Sequence, residues 1–178
     1  MDRDEIEAAL RALADEVERR GIDGAKLWIC GGTVMVLEVG SREATKDVDG
    51  ALRPRRELLE AAAAIASSLD LREGWLNDDA SAYFPDSAED HWNQPPRRFG
   101  SLEVYFADDE MMLALKLRAG RGRLDRPDLV ALLDRLGISS EEGALQVFDS
   151  FYPNDVISPG GLATLRAALE SRHETKGG

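Results

Sequence analysis

The chain has 178 residues, enough to bury a hydrophobic core as one domain or a domain with a small appendage, without staples. Its 34 acidic side chains outnumber 22 basic ones, for a formal charge of −12, which disfavours coating of duplex nucleic acid, since that binding is driven largely by phosphate neutralisation. A single cysteine, Cys30, excludes an internal disulfide and a multi-cysteine metal site. With no signal-peptide pattern and no apolar run of membrane-span length, the protein is expected to be cytoplasmic and without membrane contact.

In chain order, the recurrence of Ile6, Leu10, Leu13, Ala14 and Val17 predicts an amphipathic helix over 2–20, ended by Gly21 and Gly24. A short apolar strand follows over 26–30, with Cys30 expected in the core. Gly31-Gly32 turn the chain into a buried helix over 33–39, stopped by Gly40. The next strand carries Asp47 and runs to about Leu52, and Pro54 opens a helix whose body is 57–69. The segment 71–98 is the least regular, rich in Asp, Pro, Ser and Asn, and is expected to be a long functional or mobile loop. A strand over 101–106 leads to a helix over 111–118 capped by Asp108 or Asp109. Further helices are predicted near 127–136, 140–150 and 159–172, and 173–178 should fray. The expectation is an α/β (α+β) fold: a mixed sheet flanked by helices, then C-terminal helices. The expected divisions are an N-terminal helix (1–24), an α/β core (25–108) and a helical subdomain (109–178).

The chemistry concentrates in three places. Asp47 and Asp49 are spaced i, i+2, so on a strand both carboxylates leave the same face. Glu103, between Leu102 and Val104 on another strand, can bring a third. Three converging carboxylates repel one another unless a cation sits among them, and hard oxygen donors suit Mg²⁺ or Mn²⁺. Such a site serves phosphoryl or nucleotidyl transfer. Acids alternating along a strand edge also keep a protein soluble, and a lone Glu103 is commonly an exposed strand residue.

Gly31-Gly32, after an apolar strand and before a helix, lets the backbone approach a phosphate closely, although glycine pairs also mark ordinary turns. The pattern is neither a Walker loop nor a dinucleotide fingerprint. Lys116 interrupts an apolar run, 111–117, and needs a partner or a route to water; it either snorkels or contacts a triphosphate. Arg121 and Arg123, with Arg118 and Arg126 around them, form a positive wall or a solvated face paired with Asp125 and Asp128. Neither His91 nor His173 has catalytic surroundings, and Trp75 and Trp92 fit packing better than base stacking.

Gly31-Gly32, then Arg42-Glu43-Ala44-Thr45-Lys46-Asp47-Val48-Asp49, then Leu102-Glu103-Val104, resemble the nucleotidyltransferase pattern of the DNA polymerase β superfamily. The Arg-Glu-x-Thr-Lys-Asp-Val-Asp form, and the tract from Lys116 to Leu129, are similar to the small prokaryotic AbiEii-like toxin group and the related DUF6036 nucleotidyltransferases. The likeness spans roughly residues 25–135. It implies a nucleotidyltransferase-type sheet in which Asp47 and Asp49 ligate Mg²⁺ (or Mn²⁺) and Glu103 completes the site and helps activate the acceptor. Gly31, Gly32 and Thr33 would hold the triphosphate, Thr33 standing where the pattern often has serine, with Lys116, Arg121 and Arg123 as further nucleotide contacts. The implied activity moves NMP from an NTP to an acceptor, which is an RNA 3′ end, a protein hydroxyl or a small molecule. A toxin role with a cognate antitoxin protein is an implication of the likeness alone. The alternative is a non-catalytic module on the same fold that binds nucleotide or a partner.

Overall fold

The computed structural model describes residues 1–176, with side chains through Arg172. The chain forms a mixed α/β structure that divides into two compact units. The first comprises Met1–Tyr83 and Trp92–Ala107; the second comprises Phe84–His91 and the chain from Asp108 onward.

The first unit begins with α1 (Arg3–Arg20). Asp2 caps it and exchanges a second hydrogen bond with Glu5, so two of the free N–H groups at the helix start are satisfied reciprocally. Its apolar stripe, Ile6, Leu10, Leu13 and Val17, is entirely buried. Each such side chain contributes about 1.5–3 kcal/mol over exposure, so α1 is integral to this unit rather than a separate N-terminal element. β1 (Lys26–Cys30) runs into α2 (Gly31–Val34), which continues as a π-helical turn over Met35–Val39 and ends at Gly40. Arg3 donates to the carbonyls of Val36 and Leu37 at 3.0 and 2.6 Å, satisfying groups near the end of that turn. β2 (Val48–Arg53) leads to α3 (Arg55–Ala66), and two short strands, β3 (Leu76–Asn77) and β4 (Arg97–Phe99), precede β5 (Leu102–Phe106).

The five strands form one mixed sheet in the order β3-β2-β1-β5-β4. β1 is central, antiparallel to β2 and parallel to β5. Burial alternates cleanly along 47–53, with Val48, Gly50 and Leu52 inward. Leu27, Ile29, Val48, Leu102, Val104 and Phe106 are buried in the core, as is Leu58 of α3. Trp75 is buried as well, and its indole N–H donates to the Ala62 carbonyl at 3.0 Å, so its polar atom is paired inside the core. Trp92 is also buried, while half-buried Trp28 stacks on Tyr105 at 5.5 Å.

The segment 71–98 is more ordered than its composition predicts, because β3 and β4 close the two edges of the sheet. Both are too short to show a period of two in the sequence. Its middle, 84–91, belongs to the second unit: His91 Nδ1 lies 2.8 Å from Asp108 Oδ2, and its ring packs on Phe151 at 4.3 Å.

The second unit is built from α4 (Asp109–Ala119), α5 (Arg126–Arg135), α6 (Glu141–Phe151) and α7 (Pro159–Lys176). Asp108 caps α4 through the Met111 N–H at 2.8 Å. Met111, Met112, Leu113, Ala114 and Leu117 are fully buried, since α4 packs against the other three helices. The expected fraying over 173–178 is not seen as far as Lys176; the last two residues and the side chain of His173 lie outside the described residues. Among the described residues no helix is long and apolar enough to cross a membrane.

Two close backbone approaches test this packing. A Cβ on Gly50 would sit 2.2 Å from the Trp28 carbonyl oxygen, and one on Gly161 would sit 2.3 Å from that of Leu117. Neither backbone can yield as a flexible side chain can. Gly50→Ala and Gly161→Ala should therefore each lower stability by about 2 kcal/mol or more in urea unfolding. Stabilities within 0.5 kcal/mol (about the spread of neutral surface changes) would contradict the strand and helix spacings described.

Candidate functional site

The glycine turn and the acid-x-acid strand meet at one end of the sheet. In the β1–β2 register Cys30 faces Asp49, so the residue after Cys30 enters the turn beside that carboxylate. Gly31 has φ +70°, a left-handed conformation that a side chain disfavours. A Cβ at Gly31 would lie 3.6 Å from Asp49 Oδ2, and one at Gly32 would overlap the Thr45 hydroxyl at 2.2 Å. The cradle is thus filled by backbone, with no room for a larger residue at Gly32 unless Thr45 moves.

Thr33 and Thr45 both donate hydroxyl hydrogen bonds to the Asp47 carbonyl, at 3.0 and 3.3 Å. They clamp the chain just ahead of β2. Asp47 and Asp49 flank fully buried Val48 and are themselves half-buried, so both lie on the side of the strand opposite the core. Arg72 donates to Asp47 Oδ2 at 2.8 Å, and the Arg42 guanidinium comes within 3.8 Å of the Cβ position at Gly32. Two carboxylates with hard oxygen donors, two residues apart beside a bare backbone turn, suit a divalent cation carrying phosphate oxygens. Asp47 and Asp49 are the residues that would hold it.

Glu103 is not part of this cluster. Its register partner on β1 is Lys26, whereas that of Asp49 is Cys30. Four residues of strand amount to about 13 Å, and β1 itself lies between β2 and β5, adding about 10 Å across the sheet. Metals of a two-metal site lie only about 3.5–4 Å apart, so Glu103 cannot share one with Asp49. The expectation of a third carboxylate here is corrected by the strand order. Glu103 instead accepts from Lys26, 3.1 Å away, from the Tyr105 hydroxyl at 3.1 Å, and from Arg98. The Lys26 hydrogen bond, then that of Tyr105, holds its carboxyl below the ordinary value. Among the described residues no three His, Cys, Asp or Glu side chains gather closely enough to cage a metal.

The expected phosphate contact by Lys116 is likewise not seen. Lys116 is buried in the second unit, with Nζ 2.9 Å from Asp125 Oδ1 and 2.6 Å from Asp128 Oδ2, and both aspartates are wholly buried. Arg121 adds its backbone N–H and its Nε to Asp125 Oδ2, at 3.2 and 3.1 Å. Burial pushes the Asp125 carboxyl up, but Lys116 and Arg121 together outweigh it and leave it below the ordinary value. Arg118 pairs with Asp155 at 2.8 Å and lies over the Tyr152 ring. Arg123 is exposed on the turn before α5. The positive tract is thus partly consumed by local ion pairs.

Sequence reasoning missed Arg72, which lies in the irregular segment and has no spacing relation to Asp47. It also missed the packing role of Thr45, although Thr45 falls inside the motif. Comparison of the chain with protein-family models, curated proteins and solved structures gives no match.

The buried lysine makes a prediction with a definite sign. Lys116→Met takes the lysine from two wholly buried carboxylates, leaving Arg121 on Asp125, and should cost about 3–5 kcal/mol at pH 7. In the wild type the Asp125 contribution is complete above the ordinary carboxylate pKa, and is lost only as pH falls below it through the lowered folded value. The variant should behave oppositely, gaining stability from pH 7 to pH 5 as the buried Asp125 carboxyl, without Lys116 to offset its burial, takes up a proton. Urea midpoints across that range measure both. A variant whose midpoint stays flat or falls would contradict this account of the cluster.

Proposed function

We propose that the first unit binds a metal-complexed nucleoside triphosphate and transfers its NMP moiety to an acceptor. The observation that carries this reading is the contact between the glycine turn and the acidic strand, with Gly31 set against the Asp49 carboxylate. Gly31 and Gly32 bring bare backbone to the phosphates, Thr33 fixes the approach to β2, and Asp47 and Asp49 hold Mg²⁺ or Mn²⁺. The cation supplies charge neutralisation at the phosphate oxygens. In the reaction an acceptor hydroxyl oxygen bonds to the α-phosphorus and its proton passes to solvent, the bond from that phosphorus to the β-phosphate bridging oxygen breaks, and pyrophosphate leaves. The likeness to the DNA polymerase β superfamily, and to its AbiEii-like and DUF6036 members, supports the same reading. It also suggests a toxin with an antitoxin partner. The acceptor classes remain an RNA 3′ end, a protein hydroxyl and a small molecule.

A second reading, nucleotide binding without transfer, is favoured by one feature. Glu103, the expected third acid, is engaged with Lys26 and Arg98 on β5, away from the acidic end of β2.

The two are separated by incubating the protein with each α-labelled NTP, Mg²⁺ or Mn²⁺, and total cellular RNA, and following label into RNA, protein and small products. Transfer is expected with the wild type. Asp47→Asn and Asp49→Asn should lose at least about 100-fold, corresponding to several kcal/mol of lost charge stabilisation. Without metal both variants should stay folded with little change in thermal stability, since relief of carboxylate repulsion is offset at Asp47 by the weakened Arg72 contact. Absence of transfer, with metal-NTP still stabilising the wild type but not Asp49→Asn, would establish the second reading. Absence of both effects would overturn the two together.

A further inference from the structure

We propose that Arg72 is a phosphate-binding residue of this site, held on Asp47 until a divalent cation takes that carboxylate over. The inference rests on the reading of Asp47 and Asp49 as the metal-holding pair, and names a recognition group which that reading lacks.

Of the cations expected to meet the triphosphate, Lys116 and Arg121 are bound to buried aspartates of the second unit, and Arg123 is exposed on that unit. Within the first unit, the Arg42 guanidinium lies near Gly32, and that of Arg72 sits on the acidic strand itself, 2.8 Å from Asp47 Oδ2 through one NH₂ group. The sheet delivers it there. β3 pairs in parallel with β2, Asn77 lying beside Asp49, and the Val48 N–H donates to the Trp75 carbonyl at 2.7 Å. The turn ahead of β3 therefore ends next to the acidic pair. Arg72 stands in that turn between Asp70, at φ +53°, and Gly74, at φ +70°.

Its side chain is about half exposed (54%), against 25% for Asp47, so the guanidinium can swing without breaking core contacts. One NH₂-to-carboxylate hydrogen bond is a partial use of a group with five donors. Two carboxylates on one strand face repel each other, and Arg72 relieves Asp47 in the way a cation would. When a divalent ion neutralises Asp47, the attraction that holds Arg72 falls away. The phosphates carried by that ion then present pairs of oxygens that accept two parallel N–H bonds from the planar guanidinium, the arrangement arginine binds best.

The competition makes opposite predictions for metal and for phosphate. Mn²⁺ alone, titrated by electron paramagnetic resonance, should bind Arg72→Gln as tightly as wild type or several-fold tighter, since its competitor is gone. Mn²⁺-tripolyphosphate, which carries no base, should bind Arg72→Gln about tenfold more weakly by calorimetry, with Arg72→Lys in between. Retained Mn²⁺ binding certifies that the variant's site is folded. Tripolyphosphate binding that is unchanged or tighter in Arg72→Gln would overturn the proposal and leave Arg72 as a counter-ion of Asp47. Loss of Mn²⁺ binding in Arg72→Gln would equally overturn it, making Arg72 a structural support. Wild-type protein that shows no Asp49-dependent Mn²⁺ binding would overturn the underlying reading of the acidic pair, and this proposal with it.

Discussion

The antiparallel pairing of β1 with β2 is the constraint on which the candidate site depends. Lys26 faces Arg53 at one end and Cys30 faces Asp49 at the other. A slip by one residue would turn Asp49 into the core and Val48 outward, so burial of Leu27, Ile29, Val48 and Leu52 enforces the register. Once it is set, the chain leaving β1 has to turn beside Asp49. Only a residue tolerant of positive φ passes there easily, and Gly31 is that residue. The hydroxyls of Thr33 and Thr45 then fasten the Asp47 carbonyl from two directions. The apolar core and the acidic end of the sheet are therefore consequences of one pairing.

Charge in this acidic protein is handled by local neutralisation. Glu103 lies among Lys26, Arg98 and Tyr105, and Asp125 and Asp128 enclose Lys116 with Arg121 at the side. The second cluster lies in an apolar interior, where unpaired ions would be very costly, and so it is a demand on the fold as much as a source of stability. The pairing at Asp47 differs in kind. Arg72 holds it through a half-exposed side chain on a turn, where the pairs around Lys116 are buried.

Much of the fold was legible in the sequence. Apolar periodicity located α1, the helices of the second unit fall near the spans expected of them, and the caps at Gly21 and Asp108 fall where glycine and a short polar residue predict them. The glycine turn and the i, i+2 acids were legible because they are local: neighbours in sequence are neighbours in space. Glu103 was misplaced because alternation along a strand says which face a residue takes, and nothing about strand order or register. A third carboxylate at Asp49 needs the Glu103 strand close by, but β1 lies between them. Lys116 was misjudged for a related reason. Its break in an apolar run demanded a partner, and the partners stand nine and twelve positions on, in a tract that looked like surface charge. β3, β4 and Arg72 were not legible, since two- and three-residue strands show no period and Arg72 meets Asp47 only through the tertiary fold.

The central claim is that Asp47 and Asp49, with the glycine turn, hold a divalent cation and the phosphates it carries. A crystal of the protein with Mn²⁺ and a non-hydrolysable nucleoside triphosphate, examined by anomalous scattering, tests it most directly. The account predicts a Mn²⁺ peak about 2.1 Å from carboxylate oxygens of both Asp47 and Asp49. Phosphate oxygens should lie against Gly31 and Gly32, and Glu103 should still be paired with Lys26. A Mn²⁺ peak at Glu103, or nucleotide bound away from the glycine turn, would contradict it.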